Sequence, residues 1–92
     1  QILFRMLNNL KSIYLRAQTF DKGVAIIDLM LLTDPAAFDQ FRDRAVLQVQ
    51  LRRFAAAARD FEEYVKNVPD AEDRPQVEEH LKELRRIKAM MN

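Results

Sequence analysis

The sequence contains no cysteine and no tryptophan, and it has one glycine, one histidine and three prolines. Without cysteine the chain forms no disulfide, thiolate nucleophile or thiolate metal site, which suits a reducing compartment, and we expect a cytoplasmic protein. A nucleophilic triad needs a base held against its nucleophile. The lone histidine, His80, also lacks the partner four residues away that a zinc site needs. We therefore expect no catalytic residue, no metal and no cofactor.

Long apolar runs and a dominant charge sign are also lacking. No run approaches the ~20 apolar residues that a membrane span needs. Fifteen basic residues stand against 14 acidic ones, for a net charge of +1. Nucleic acid and membrane are therefore not expected partners.

The sequence does contain a repeated stretch. Phe54 follows Phe20 by 34 residues, and Pro69 follows Pro35 by the same interval. A helix-length run lies between each Phe and its Pro, with apolar residues every three or four positions. Such self-similarity predicts a helical repeat protein, and 92 residues allow one small domain.

Apolar periodicity predicts five helices. Their expected bounds are about 2–17, 21–32, 37–51, 54–67 and 75–91. The expected core residues on the first two helices are Leu7, Leu10, Tyr14, Val24, Ile27, Met30 and Leu31. Those on the other three are Phe38, Phe41, Ala45, Leu47, Phe61, Tyr64, Val65, Val77, Leu81, Leu84 and Met91.

This pattern resembles the tetratricopeptide repeat. The matching positions are Leu7, Leu10, Tyr14, Phe20, Gly23 and Pro35 in repeat one, and Phe41, Ala45, Phe54, Ala57, Phe61 and Pro69 in repeat two. The departures are Lys11, Arg44 and Gln48, which replace a small residue, a Leu and a Tyr. The resemblance implies an all-α fold, an α-α superhelix of two helix-turn-helix repeats (about 2–35 and 37–69) with a C-terminal capping helix (about 75–91).

Two stretches, RMLNNLKSIYLRA (5–17) and FRDRAVLQVQLRRFAAAARDFEEYV (41–65), are similar to the C-terminal half of the bacterial SirB family. In that family a transglutaminase-like domain precedes a short repeat segment. Because Gln1 is not an initiator methionine, we expect residues 1–92 to be a fragment of a longer chain. The resemblance implies that any catalytic residues lie upstream.

We expect a non-catalytic module that binds a protein, a peptide or the missing upstream domain. The alternatives are the accessory half of a transglutaminase-like hydrolase and part of a transcriptional regulator. The expected binding surface, called the concave face, comes from the first helix of each repeat. Its residues are Arg5, Asn8, Ser12, Arg16, Arg42, Val46, Val49 and Gln50.

The first helix is also apolar on too many sides for a free end. Its apolar residues cover roughly 220° of the circumference at 100° per residue, against the ~100° that a surface helix needs. We expect a second surface, the docking face, formed by Ile2, Phe4, Met6 and Ile13. It would cover the upstream domain, or pair two copies of the fragment into a homodimer. The alternative is that the second helix wraps widely enough to cover these residues.

Three single positions stand out. Gly23 is expected where two helices cross closely, with a hinge as the alternative. Arg44 is expected to pack its stem on the core. The alternatives for Arg44 are an ion pair with Asp39, Asp43 or Asp60 and a contact with the missing upstream domain. His80 is expected at the edge of the core.

Overall fold

The computed structural model describes residues 2–91, and Gln1, used in the sequence argument, lies outside them. Over those residues the chain forms five α-helices and no strand. Their bounds are α1 Ile2–Arg16, α2 Phe20–Thr33, α3 Asp39–Gln50, α4 Phe54–Asn67 and α5 Arg74–Met90. The predicted all-α fold is confirmed. No helix in this part of the chain combines the length and apolar character needed to cross a bilayer.

The largest difference from the predicted bounds is the start of α3, which begins at Asp39 instead of Ala37. The preceding loop is held by local hydrogen bonds: the backbone N–H of Ala36 donates to Asp34 Oδ1 at 3.1 Å, and that of Ala37 donates to the Asp34 carbonyl at 3.1 Å. A side chain that bonds to the backbone two residues on favours a turn over a helix. Pro35 lies within this turn.

The turn inside each repeat has the same backbone geometry. Gln18 and Arg52, which are 34 residues apart, have φ values of 57° and 59°. The next N–H bonds back across the helix end in each case, from Thr19 to the Tyr14 carbonyl and from Arg53 to the Gln48 carbonyl. This is the Schellman arrangement, which usually places glycine at the positive-φ position. The 34-residue repeat therefore includes the backbone conformation of the turn, although neither position is glycine.

Among the described residues the backbone of each helix lies close only to that of its neighbours in sequence, as in a solenoid. A side-chain link from α1 to α3 is described below. One core cluster lies among α3, α4 and α5 and contains Phe61, Tyr64, Val77, Leu81 and Leu84. A second, smaller cluster joins α2 to α3 through residues 24, 27 and 47. Helix α5 thus covers the apolar side of α4.

Two expected core residues are exposed, and these predictions were wrong. Leu10 is 39% exposed, because α2 packs on the side of α1 that carries Leu7 and leaves Leu10 uncovered. Met91 is 72% exposed because α5 ends at Met90, so residue 91 does not continue the buried stripe. Five more of the expected residues are half-buried: Tyr14, Leu31, Phe38, Phe41 and Val65.

Gly23 lies at a close contact between α2 and α3. A Cβ at this position would lie 3.0 Å from Cδ1 of Leu47, inside the usual 3.5–4.0 Å separation of packed carbon atoms. The expected tight crossing is therefore present. It lies between the two repeats.

Candidate binding surface

The α1 part of the predicted concave face is open to solvent. Arg5, Asn8 and Arg16 are exposed. Ser12 is half-buried, and its hydroxyl donates to the Asn8 carbonyl at 3.2 Å. A shallow depression of about 530 Å³ is lined by Ser12 and Arg16 together with Asn9 and Leu15. Two of the predicted residues therefore border one concavity.

The α3 part is more varied. Val46 is 46% exposed and Gln50 is exposed, so both are accessible to a partner. Val49 is half-buried and packs against the core cluster of α3–α5, so only part of it faces solvent. Arg42 is engaged inside the molecule, and a ligand would have to compete for it.

Arg42 belongs to a polar network that ties α3 to the start of α5. Its guanidinium donates to Asp43 Oδ1 and Asp73 Oδ2, each at 3.1 Å, and lies 5.4 Å from the ring centre of Tyr64. The Tyr64 hydroxyl donates to Asp73 Oδ1 at 2.7 Å. Since Asp73 immediately precedes α5, this network positions the capping helix.

The network shifts the pKa values of its members. The hydrogen bond from Tyr64 is the main cause that lowers the pKa of Asp73, with help from Arg42. Burial and the bond to Asp73 raise the pKa of Tyr64. Burial opposes the charge of Arg42, but Asp43 and Asp73 outweigh it and raise the pKa of Arg42. At neutral pH these groups are an ionised acid, a neutral phenol and a cation.

Lys11 is a buried charged residue that the core prediction did not include. Its ammonium donates to Gln40 Oε1 at 2.9 Å and to Asp43 Oδ2 at 3.1 Å. These are the hydrogen bonds that join α1 to α3 among the described residues. The signal in the sequence was the departure at Lys11, where the repeat usually has a small residue. A lysine long enough to reach the next repeat replaces close packing with a polar link.

Arg44 forms an ion-pair cluster with two carboxylates. It holds Asp60 with two bonds, from Nε at 2.7 Å and from Nη2 at 2.8 Å, and Asp28 with a third, from Nη1 at 2.7 Å. The bond to Asp60 is the main cause that raises the pKa of Arg44. The expected pairing with Asp60 is confirmed, while the pairing with Asp28, which lies on α2 packed against α3, was missed. Arg44 also lies 5.5 Å from the ring centre of Phe41. Its role is to join α2, α3 and α4.

The docking face expected on α1 lies mostly within a continuous, exposed apolar stripe. Five exposed apolar residues occupy about 100° of the helix at 100° per residue: Ile2, Leu3, Met6, Leu10 and Ile13. Phe4, expected in the docking face, is half-buried, and Leu15 packs into the cluster of α2 and α3. Leu3 and Leu10 thus take the place of Phe4 on this side.

Three further titratable residues lie at the edge of the core or in solvent. His80 stacks on Phe61 with ring centres 5.6 Å apart, at the edge of the core as expected. Glu62 and Glu78 face solvent and pair with Arg85 and Arg74. No group of three potential metal ligands occurs within residues 2–91.

A family model described as tetratricopeptide repeat matches residues 10–82. The chain is also similar to a protein of Xylella fastidiosa (strain Temecula1 / ATCC 700964) described as "UPF0162 protein", with 30% identity over 83 residues. The match covers 90% of this chain but 30% of that protein, so the chain spans less than a third of its relative. No solved structure matches the chain at a significant level.

Proposed function

The chain belongs to the tetratricopeptide repeat family, and on that premise we propose that it is a non-catalytic protein-interaction module whose concave face binds a partner segment. Repeats of this family are generally protein-interaction modules. The observation that carries the proposal is the exposure of Val46 between Arg42 and Gln50 on α3. An apolar side chain with polar neighbours can anchor a segment while hydrogen bonds fix its orientation.

The groups available for hydrogen bonds differ between the two helices. On α1, Arg5 and Arg16 make no ion pair among the described residues, so both can pair with a carboxylate. On α3, Gln50 is exposed and offers an amide. The neighbouring Arg42 is held by two carboxylates. We therefore expect it to shape the groove more than to bind the ligand.

Selection from a random peptide library on the wild-type chain tests this proposal. Val46→Asp places a charge on the apolar anchor of the groove, and peptides selected on the wild type should bind this variant at least about tenfold more weakly, a loss of ~1.4 kcal/mol. Leu32→Asp is the matched control, since Leu32 is 78% exposed on α2. Peptides that bind Val46→Asp as tightly as the wild type would contradict the proposal.

A second role is favoured by the exposed apolar stripe of α1. We propose that the docking face covers another domain of a longer protein, and that isolated copies of the chain pair through it. Single exposed apolar residues are ordinary, whereas a contiguous apolar stripe marks an interaction site. The greater length of the Xylella relative is consistent with additional sequence that could cover the stripe.

Sedimentation of the isolated chain tests the second role. The wild type should form dimers at micromolar concentration, and Met6→Lys with Ile13→Glu should make it monomeric while its circular dichroism is unchanged. These two positions replace Phe4 in the design because Phe4 is half-buried. The control pair is Leu29→Glu with Leu32→Lys on α2. A wild type that stays monomeric at high concentration would refute self-association.

The SirB resemblance, with its transglutaminase-like upstream domain, stays a prediction. The description of the Xylella relative, "UPF0162 protein", states no activity. We propose that any catalysis belongs to other parts of a longer protein, to which this module would contribute binding and stability. In that longer protein, Met6→Lys with Ile13→Glu on the docking face should lower the thermal stability. Unchanged stability would exclude contact with this face.

A further inference from the structure

A pocket of about 570 Å³ lies between the start of α4 and the end of α5. Four of the residues that line it are cations, and none is an acid: Arg52, Arg53, Arg59 and Lys88. All four are exposed, and none forms an ion pair among the described residues. We call this site the basic pocket. It concentrates positive charge in a chain whose net charge is only +1.

The other large cavity between α4 and α5 provides a comparison inside the same molecule. It measures about 680 Å³ and is lined by three acids and three bases: Glu62, Glu78, Glu79, Lys66, Lys82 and Arg85. Its charges balance, and Glu62 pairs with Arg85 at 3.7 Å. The packing of these two helices therefore does not by itself require an excess of cations in the space between them.

Repeat one shows that the fold does not need these cations. The residues 34 positions before Arg52, Arg53 and Arg59 are Gln18, Thr19 and Ala25. They are uncharged, yet Gln18 adopts the same turn geometry as Arg52. Like charges that share a pocket repel one another and destabilise the folded state. The basic cluster is thus a local addition that the turn geometry does not require, and its four cations form no ion pair within residues 2–91.

Apolar groups complete the wall of the basic pocket. Phe54 is half-buried at its base, beside Ala55 and Ala56, and Met91 is 72% exposed at its rim. A bare phosphate would leave these groups without a partner. An extended nucleic acid would need a longer basic surface, which the balanced charge of the chain does not provide. A peptide segment that carries both carboxylates and an apolar side chain satisfies both parts of the pocket.

We propose that the basic pocket binds an acidic peptide segment of a partner protein, with an apolar side chain seated against Phe54 and Met91 and flanking carboxylates on the arginines and Lys88. This is a second surface, separate from the concave face. The two guanidiniums next to one another in sequence, Arg52 and Arg53, can each take a carboxylate with paired hydrogen bonds. Binding relieves the repulsion among the cations and should weaken as salt rises.

The probe is a short synthetic peptide with one leucine flanked by glutamates, titrated into the isotopically labelled chain. Amide signals of Phe54, Ala55 and Ala56 should shift, and affinity should fall as salt is raised. Arg53→Gln with Lys88→Gln should weaken binding about tenfold. Lys66→Gln with Lys82→Gln, which alters the balanced cavity by the same charge, should leave binding unchanged.

Several outcomes would overturn the proposal. One is that the Arg53/Lys88 and Lys66/Lys82 double variants bind the peptide equally well. Another is that a peptide with serine in place of leucine binds as tightly as the original peptide. A third is that inorganic phosphate competes for the pocket as strongly as the peptide does. Tighter binding of a single-stranded oligonucleotide, lost in Arg53→Gln with Lys88→Gln, would assign the pocket to nucleic acid instead. Val46→Asp should not affect peptide binding here, so failure of the concave-face proposal is distinguishable from failure of this one.

Discussion

Substitution of Gly23 tests the packing of the two repeats against each other. A Cβ at Gly23 would lie 3.0 Å from Leu47 Cδ1, at least ~0.5 Å closer than carbon atoms usually pack. Leu47 is 3% exposed in the cluster of α2 and α3, so it has little room to move. Any added atom must therefore displace a core side chain.

The two substitutions differ in magnitude. Gly23→Ala gains up to about 1 kcal/mol of helix propensity, which offsets the strain of one methyl group. We expect its free energy of unfolding to stay within ~1 kcal/mol of the wild type. Gly23→Val adds two more carbon atoms to the same contact and should lower the free energy of unfolding by about 1–3 kcal/mol.

Urea unfolding followed by circular dichroism measures these differences. The matched control is Ala25→Val, an exposed position of the same helix, where only helix propensity changes. The pair Gly23→Val with Leu47→Ala should be more stable than the sum of the single effects, because the smaller side chain makes room. The reasoning is refuted if Gly23→Val is as stable as Ala25→Val, or if the double variant is additive.

Three further predictions concern ion pairs, pH and a turn. Arg44→Met leaves the carboxylate of Asp60 buried without its partner and should destabilise the chain by about 3 kcal/mol, while Arg44→Met with Asp60→Leu should recover most of this loss in urea unfolding. A single variant as stable as the wild type would exclude a structural role for the cluster. Since the folded state lowers the pKa of Asp73, the stability it contributes is present above the ordinary carboxyl pKa of about 4 and is lost as pH falls through the lower folded value. Thermal melts of Asp73→Asn should therefore differ most from the wild type above about pH 4, and a difference that does not change with pH would contradict this. Gln18→Gly should raise the free energy of unfolding by up to about 1 kcal/mol, because glycine adopts a φ of 57° without steric cost; a destabilised variant in urea unfolding would contradict this.

The sequence by itself determined the fold class and the order of the helices. Phe20 and Phe54 begin the second helix of each repeat, and Pro35 and Pro69 follow its end, as their 34-residue spacing indicated. Periodicity also identified the most buried residues, including Ile27 and Phe61. These features depend on local backbone preferences and on the spacing of apolar residues, and both follow from the order of the residues in the sequence.

Only the tertiary structure determined which partners are bound by the residues that depart from the repeat pattern. Lys11 and Arg44 stood out in the sequence, but their partners lie 16 to 32 residues away on other helices. Which carboxylate a long side chain reaches depends on how the helices cross, and local spacing does not carry that information.

The exposed surfaces show the same division. Leu10 has the spacing of a core residue, yet it is 39% exposed because α2 packs on the side of α1 that carries Leu7. The cations at 52, 53, 59 and 88 are scattered along the sequence and meet in one pocket only because the end of α5 lies beside the start of α4. A sequence specifies which residues are apolar or charged, whereas the three-dimensional packing determines which of them share a surface.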